Sequence, residues 1–418
     1  MTWAVRGCSG YGGSAGCLFA GVTWGAAWWF IAREPGGRQS RPYTSGWIIL
    51  ALAVGIGLSG NRGWMQWPSF FEGHLQTNTP KGEFVPIPRS YGFLWLFIAG
   101  VPWAGLGACA LAWCNSLRPL RWGGWCLRAA CGAGGGALAL FLFHHFPEWF
   151  LPLYKSVSAQ YADLQTNPNL RRLINDNRNA ILHLGIYLGL LGFEIGLRDR
   201  RNVTLILTVG LVNGLGWASF QNWKWAPGFW PGTNFNWWRC WESSGGISIG
   251  IAYGLAYFFV NRPLPVEEQA QHASELANVR PNLERFGAYL GLLLGLVLSI
   301  KNGFKGWLNI YVGKEDYWNR ILWMFFGPLL VLGFLSILFF IRSRPLPRGY
   351  DGDAFPHAYR LIWLVLITQN VLAQLVTGPL RDWRETSFSI YYVLLFGISA
   401  VIVHHFQSWH FKQTEGVS

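Results

Sequence analysis

The sequence predicts an all-α polytopic integral membrane protein with about 11 transmembrane helices, in a range of roughly 10–12. Composition supports this fold class in two ways. Charged residues make up 13% of the 418 residues, about half of the roughly 25% that is typical of soluble domains. Hydrophobic residues make up 51%, and the 26 tryptophans and 52 glycines suit membrane interfaces and close helix contacts. This composition excludes disordered, collagen-like and disulfide-stapled secreted proteins.

A third observation is a series of eleven mostly apolar runs, most of them long enough to cross a bilayer. They are 17–32, 46–59, 91–114, 123–146, 179–197, 203–220, 245–260, 286–300, 321–341, 358–376 and 388–403. The first run ends in bulky aromatic residues, where a signal-peptidase site needs small ones, and is predicted to be a retained helix. Because the segments between runs are short, we expect a single transmembrane domain over 1–418 with no separate soluble domain.

The connections between the runs alternate in kind, and this alternation predicts an internal repeat. Arginine-rich loops follow the odd-numbered runs, and three of them contain Arg-Pro-Leu, so we call this side the RPL face. Longer tryptophan-rich segments follow the even-numbered runs and define the Trp-rich face. The period of about 80 residues predicts stacked helical hairpins. Their approximate bounds are 15–90, 91–175, 176–243, 244–318 and 319–385, followed by a last helix at 386–418.

The net charge of +13 does not orient the protein by itself, because lysine and arginine are divided almost evenly between the two faces. The RPL loops are mostly short and almost purely cationic, whereas the Trp-rich segments mix cations with acids, so we place the RPL face in the cytoplasm. Since the basic residues cluster between apolar runs, the expected partner is the lipid bilayer and not nucleic acid. The predicted location is the bacterial inner (cytoplasmic) membrane. The sequence does not determine the oligomeric state.

Glycine-rich stretches inside two of the runs predict a close contact between helices. The first is Gly-Ala-Gly-Gly-Gly at 132–136, and the second places glycines at 185, 189, 192 and 196. Small residues allow helix backbones to approach closely within a membrane. The first stretch is not followed by Lys and then Ser or Thr, so it does not predict a phosphate-binding loop.

The Trp-rich face concentrates the candidate ligand-binding residues. Twelve of the 26 tryptophans fall in its segments, and indole faces suit sugar rings, lipid headgroups and cations. The candidates are Trp237, Arg239 and Glu242 in one stretch, and Lys301, Asn302, Lys305, Trp307, Glu315, Asp316 and Arg320 in another. The two lysines have the spacing to clamp a phosphate or carboxylate, and the two acids could act as acid and base or bind a metal. Helix capping and a solvated loop of self-pairing charges are the alternatives.

Five polar residues inside the runs are further candidates, because burying such groups in lipid is costly. They are His183, Glu194, Asn213, Gln369 and Asn370. His183 and Glu194 lie on one run, about 16 Å apart along a helix axis. A proton relay through them is one hypothesis, and snorkelling of Glu194 to the interface is the other. Buried amides usually bridge helices, but they also line solute paths.

Three hypotheses of function remain open. Repeated hairpins with polar residues inside the runs favour a secondary transporter-like permease for a small polar or anionic solute, with its ligand site on the extracytoplasmic Trp-rich face. The alternative is a membrane-embedded transferase acting on a lipid-linked glycosyl, acyl or phospho substrate at the outer face. A non-catalytic membrane subunit that binds a partner is the third. No specific motif for catalysis, a metal or a cofactor occurs, so catalytic residues stay unassigned and no metal or cofactor is predicted.

Overall fold

The computed structural model describes residues 3, 13–33, 40–60, 67–118, 121–233, 235–348, 354–377 and 382–415. Within them, each of the eleven apolar runs coincides with a helix. The helices of 12 or more residues are α1 (Ser14–Ala32), α2 (Trp47–Ser59), α3 (Ser90–Ala112), α4 (Trp122–His145), α5 (Pro168–Gly196), α6 (Arg200–Phe220), α7 (Trp237–Val260), α8 (Val266–Ala277), α9 (Pro281–Tyr311), α10 (Glu315–Ser343), α11 (Ala354–Leu375) and α12 (Trp383–Glu415).

Ten helices of the described chain are long and apolar enough to cross a membrane, namely all of these except α2 and α8. The 13-residue helix α2 is strongly apolar, but its length of about 20 Å is shorter than the hydrocarbon core of about 30 Å. The 12-residue helix α8 is amphipathic. The protein is therefore a polytopic helical membrane protein. The exact number of spans and the hairpin repeats remain predictions.

One small sheet departs from the expected all-α fold. Strand β1 (His74–Asn78) pairs antiparallel with β2 (Glu83–Pro86). The turn between them contains the 3-10 helix Thr79–Lys81 and Gly82, whose φ of 67° favours glycine. The strands are short and β1 is mostly polar, so their sequence resembles that of a loop. The remaining short elements are the helices Trp67–Phe70, Pro147–Phe150, Ser158–Ala162 and Ala226–Phe229 and the 3-10 helix Gln221–Trp225.

The chain divides into two compact units. The first unit comprises Met1–Leu58, Ala110–Pro119 and Ala256–Ser418, and the second comprises Ser59–Cys109 and Leu120–Leu255. In the first unit, α1 packs against α9 and α11, α9 packs against α10 and α11, and α11 packs against α12. In the second unit, α5 packs against α4, α6 and β1.

Buried polar contacts stabilise the end of α1 in the first unit. Arg33 follows the last residue of the helix, is buried, and donates a hydrogen bond to the Thr44 carbonyl. The Asn261 side-chain oxygen accepts a hydrogen bond from the Tyr43 backbone N–H at 3.0 Å. The Asn261 backbone carbonyl accepts one from the Arg41 side chain at 2.6 Å. Some arginines of the predicted RPL loops therefore bind backbone groups of the protein itself.

Helices α4 and α5 of the second unit meet through glycine. A Cβ atom added at Gly185 would lie 2.5 Å from the Gly135 carbonyl oxygen, and one at Gly189 would lie 2.1 Å from the Cys131 carbonyl oxygen. No larger residue fits at either position without separating the helices. The predicted glycine contact is confirmed for these positions. It is wrong for Gly192 and Gly196, where an added Cβ would meet open space.

Candidate functional site

Three tryptophans of the second unit form an open stack at the start of α7. The Trp237 ring is parallel to those of Trp223 and Trp230, with centroid distances of 6.0 and 5.5 Å. Trp230 is 54% exposed, so one end of the stack presents an aromatic surface. Such surfaces bind the apolar faces of sugars and other rings, as well as cations.

Arg239 and Glu242 lie in the first turns of α7, directly after this stack. Asn236 directly precedes the helix, and its side-chain oxygen accepts a hydrogen bond from the Arg239 backbone N–H at 3.1 Å. Both charged side chains are buried within the unit. Burial of charged groups is costly unless they are paired or hydrogen-bonded. These two candidates therefore lie inside the protein and not on a solvated loop.

Polar groups continue from Glu242 along the contact between α6 and α7. Trp223 Nε1 donates to Ser244 Oγ at 2.8 Å. One turn further along α7, Ser248 Oγ donates to the Asn213 carbonyl of α6 at 3.5 Å. Both serines are buried. We call Asn213, Gln221, Glu242, Ser243, Ser244 and Ser248 the α6–α7 polar track. Sequence reasoning named only Asn213 and Glu242, although the four-residue spacing of Ser244 and Ser248 was an available signal.

Gln221 is the least satisfied member of the track. Its side chain is 0% exposed, and neither its amide nitrogen nor its amide oxygen has a hydrogen-bond partner among the described residues. Ser243 Oγ is buried and also lacks such a partner there. Leaving a buried polar group without a partner costs about 1–3 kcal/mol. The track therefore retains hydrogen-bonding capacity that a small polar molecule could use.

Other tryptophans of the second unit form a buried row. The rings of Trp67, Trp103, Trp217 and Trp241 contact one another in sequence, with centroid distances of 6.5, 4.9 and 5.2 Å. All four side chains are fully buried. Trp67 Nε1 donates to Asn177 Oδ1 at 2.7 Å. These tryptophans stabilise the unit by packing.

We expect Trp67→Phe to lower the free energy of unfolding by about 1–3 kcal/mol, because the Asn177 side chain loses its buried donor. Thermal unfolding of the purified protein in detergent measures the effect. Trp149→Phe is the matched control, since Trp149 is exposed and its replacement should change stability by less than about 0.5 kcal/mol. Equal effects of the two substitutions would contradict the packing role.

Lys301 lies in a buried polar cluster of the first unit. Its side chain is 4% exposed, and its ammonium group donates to the side-chain oxygens of Asn302 and Asn319. The ammonium nitrogen also lies 4.6 Å from the centre of the Trp323 ring. These contacts join α9 to α10. Asn319 and Trp323 were missed by sequence reasoning, because nothing in the linear pattern indicates which residues of α10 face Lys301.

The other candidates of this stretch are more exposed. Lys305 is half-buried, and Trp307, Asp316 and Arg320 are exposed. The side chain of Glu315 lies outside the described residues. Of the candidates in this stretch, Lys301 and Asn302 are therefore the buried ones. This stretch belongs to the first unit and Trp237, Arg239 and Glu242 belong to the second, and a ligand site formed by both stretches remains a hypothesis.

Glu194 does not snorkel to the interface. Its side chain is 1% exposed and forms an ion pair with Arg128 of α4. Its second oxygen accepts from Asn202 Nδ2 at 2.8 Å, and the Arg128 guanidinium lies 5.2 Å from the Phe193 ring centre. Arg128 and Asn202 were not predicted as partners. This network satisfies a charge that sequence reasoning treated as a functional candidate.

The remaining intramembrane candidates have mixed surroundings. Asn213 Nδ2 donates to the Gly100 carbonyl at 2.6 Å, which bridges α6 and α3. Gln369 is buried on α11, whereas Asn370 and His183 are half-buried. The Asn370 side-chain oxygen has no hydrogen-bond partner among the described residues. The proposed relay from His183 to Glu194 remains a prediction.

Two acids of the predicted Trp-rich loops are satisfied locally. Asp163 accepts hydrogen bonds from Thr166 and Gln165, and these hold the pKa of its carboxyl below the usual value. Hydrogen bonds from Arg384 likewise lower the pKa of Asp382. Among the described residues, no group of three His, Cys, Asp or Glu side chains is placed to hold a metal ion.

The fold and these sites define a polytopic helical membrane protein with a buried polar track in its second unit. No family model, curated protein or solved structure matches the chain.

Proposed function

We propose that the protein is a permease for a small polar or anionic solute in the bacterial inner membrane. The solute would bind first at the stack of Trp223, Trp230 and Trp237, and would then pass along the α6–α7 polar track. The observation that carries this proposal is the track itself, since hydrogen-bonding side chains continue from an exposed aromatic surface into the interior of an apolar bundle.

The length of the track supports passage and not only surface binding. Gln221 and Asn213 are eight residues apart in the chain, and Glu242 and Ser248 are six residues apart on α7. These spacings correspond to about 9–12 Å along the helices, roughly a third of the hydrocarbon thickness of about 30 Å. Polar residues inside membrane segments often mark solute pathways.

A change of helix type near the aromatic stack also supports transport. Helix α6 gives way at Gln221–Trp225 to a 3-10 helix, within an apolar segment that extends to Phe229. Short 3-10 stretches within helices often mark hinges, and transporters commonly bind solutes at interrupted membrane helices. Movement at this hinge would separate α6 from α7 and expose the track.

A transferase is less well supported by the same residues. General acid–base catalysis needs positioned titratable groups, and Glu242 is the only such group in the track. Serines and amides, which form the rest of the track, suit transient hydrogen bonding to a passing solute.

Cysteine accessibility tests the permease proposal. In a background without the native cysteines, Ser244→Cys and Ser248→Cys would be exposed to a membrane-impermeant, charged methanethiosulfonate reagent in proteoliposomes. We expect both cysteines to react, with Ser248→Cys slower because it lies deeper. The matched control is Ile249→Cys, which is equally buried and adjacent in sequence but on another face of α7. Ser248→Cys should react about tenfold faster or more, because water does not reach an apolar membrane interior.

Equal rates for Ser248→Cys and Ile249→Cys would show that the track does not open to water, and the permease proposal would be abandoned. If Ser244→Cys alone reacted rapidly, a site confined to the surface, as in the transferase hypothesis, would be favoured. Each variant must first elute as a single species, so that unfolding is not mistaken for accessibility.

A further inference from the structure

An arginine-lined cavity lies in the first unit, on its predicted RPL face. The cavity has a volume of about 540 Å³. Its walls come from three helices, with Arg285 and Tyr289 on α9, Phe340 on α10, and His357 and Arg360 on α11. Arg344, which directly follows α10, completes the cationic wall. We propose that this cavity binds a phosphate group, carried by a lipid headgroup or free in solution.

The charge of the lining points to an anion. Three arginines and a histidine line the cavity, and none of the lining residues that the structure describes is acidic. Glu284 lines an adjoining smaller cavity, and its carboxylate accepts hydrogen bonds from Ser45 Oγ and the Gly46 N–H, both at 2.6 Å. A bound anion is attracted by these guanidinium groups. Their planar donors match phosphate oxygens in pairs.

The floor of the cavity is aromatic, which suits the apolar part of a phosphate-bearing molecule. The Tyr289 ring lies 5.9 Å from the Phe340 ring and 6.3 Å from the His357 ring. The Arg344 guanidinium lies 5.5 Å from the Phe340 ring centre. Leu346, in the loop after Arg344, also lines the cavity, and its N–H donates to Asn282 Oδ1 at 3.2 Å. The ring contacts and this hydrogen bond hold the walls in place.

The depth of the cavity corresponds to the level of lipid phosphates. Arg285 directly precedes the apolar run 286–300, and Arg344 follows the run 321–341 by three residues. Arg360 lies near the start of the run 358–376. Basic pockets between membrane helices at this level bind anionic headgroups. A soluble phosphate would reach the same arginines from the water side.

The test uses the full-length protein in a maltoside detergent, which carries no phosphate. Potassium phosphate and dioctanoyl phosphatidylglycerol are added separately at constant ionic strength, and the shift in unfolding temperature is measured over a concentration series. We expect stabilisation by at least one of the two. A response to the lipid alone identifies a headgroup site, and a response to both identifies a general phosphate site.

Arg344→Gln and Arg360→Gln should each weaken the response, shifting the half-saturating concentration by about tenfold or more, since each removes a charge-assisted hydrogen-bonding group. Both arginines are exposed, so these variants should still fold. The matched control is Arg262→Gln. Arg262 begins a second copy of the Arg-Pro-Leu-Pro sequence that Arg344 begins, and its guanidinium lies 4.2 Å from the Phe258 ring centre. It does not line the cavity.

The proposal is overturned if neither probe stabilises the protein, or if Arg344→Gln and Arg360→Gln respond as the unmodified protein does. An equal loss in Arg262→Gln would also overturn it, because the effect would then reflect total charge and not this cavity. The outcome is independent of the permease proposal, since the residues of the two sites do not overlap.

Discussion

Glu194→Gln is expected to lower the free energy of unfolding by about 3–5 kcal/mol, because it leaves the buried Arg128 guanidinium without its counter-charge. Both side chains are almost fully buried, and Asn202 binds the same carboxylate. The midpoint of thermal unfolding in detergent and the yield of monodisperse protein measure the loss. Arg128→Met should produce a loss of similar size, since it leaves the Glu194 carboxylate buried without a cation.

A double variant separates the cost of an unpaired charge from the value of the pair. Arg128→Met combined with Glu194→Met removes both charges and should recover much of the stability lost in either single variant. Arg121→Gln is the control, because Arg121 is exposed at the start of the same helix. Additive losses in the double variant would contradict a direct ion pair. Unchanged stability in Glu194→Gln would contradict the stabilising role of the ion pair.

Gly189→Ala should also destabilise the protein, by about 1–3 kcal/mol, through overpacking of α4 against α5. The new Cβ would meet the Cys131 carbonyl oxygen, which belongs to the helix backbone and cannot rotate away. Thermal unfolding again measures the effect.

Gly192→Ala provides the matched control on the same helix. An added Cβ at Gly192 meets nothing within 4 Å, so the substitution should stabilise the protein by roughly 0.5–1 kcal/mol through the higher helix propensity of alanine. The two substitutions are the same and lie three residues apart on one helix, so the contact with α4 is the main difference between them. Stabilisation by both substitutions would show that helix propensity, and not the contact with α4, determines the effect.

The positions of the long helices could be predicted from the sequence, because the bilayer imposes a simple rule on each segment separately. A span needs about 20 mostly apolar residues whose backbone groups bond within the segment. This rule located α10, whose most apolar stretch is not buried in the protein at all, as readily as α1, whose stretch is 67% buried. It did not locate β1 and β2, because a short polar hairpin outside the apolar runs has no such requirement.

The roles of polar residues within the helices could not be predicted in the same way. Glu194 and Arg128 are 66 residues apart in the chain, and only the packing of α5 against α4 makes them an ion pair. Tryptophans show the same ambiguity. Trp67 and Trp230 have similar sequence surroundings. Trp67 is nevertheless fully buried in a row of rings, whereas Trp230 is exposed on an open stack.

By itself, the sequence determined that this protein is a polytopic helical membrane protein, and where its helices lie, because hydrophobic length is a local property of the chain. The tertiary structure alone decided which polar groups are satisfied, which tryptophans are accessible, and that Gln221 and the serines of α7 belong to one polar track. The physical reason is that hydrogen bonds, ion pairs and burial depend on which helices meet and which faces they present. Those contacts join residues that are distant in sequence, so no local pattern encodes them.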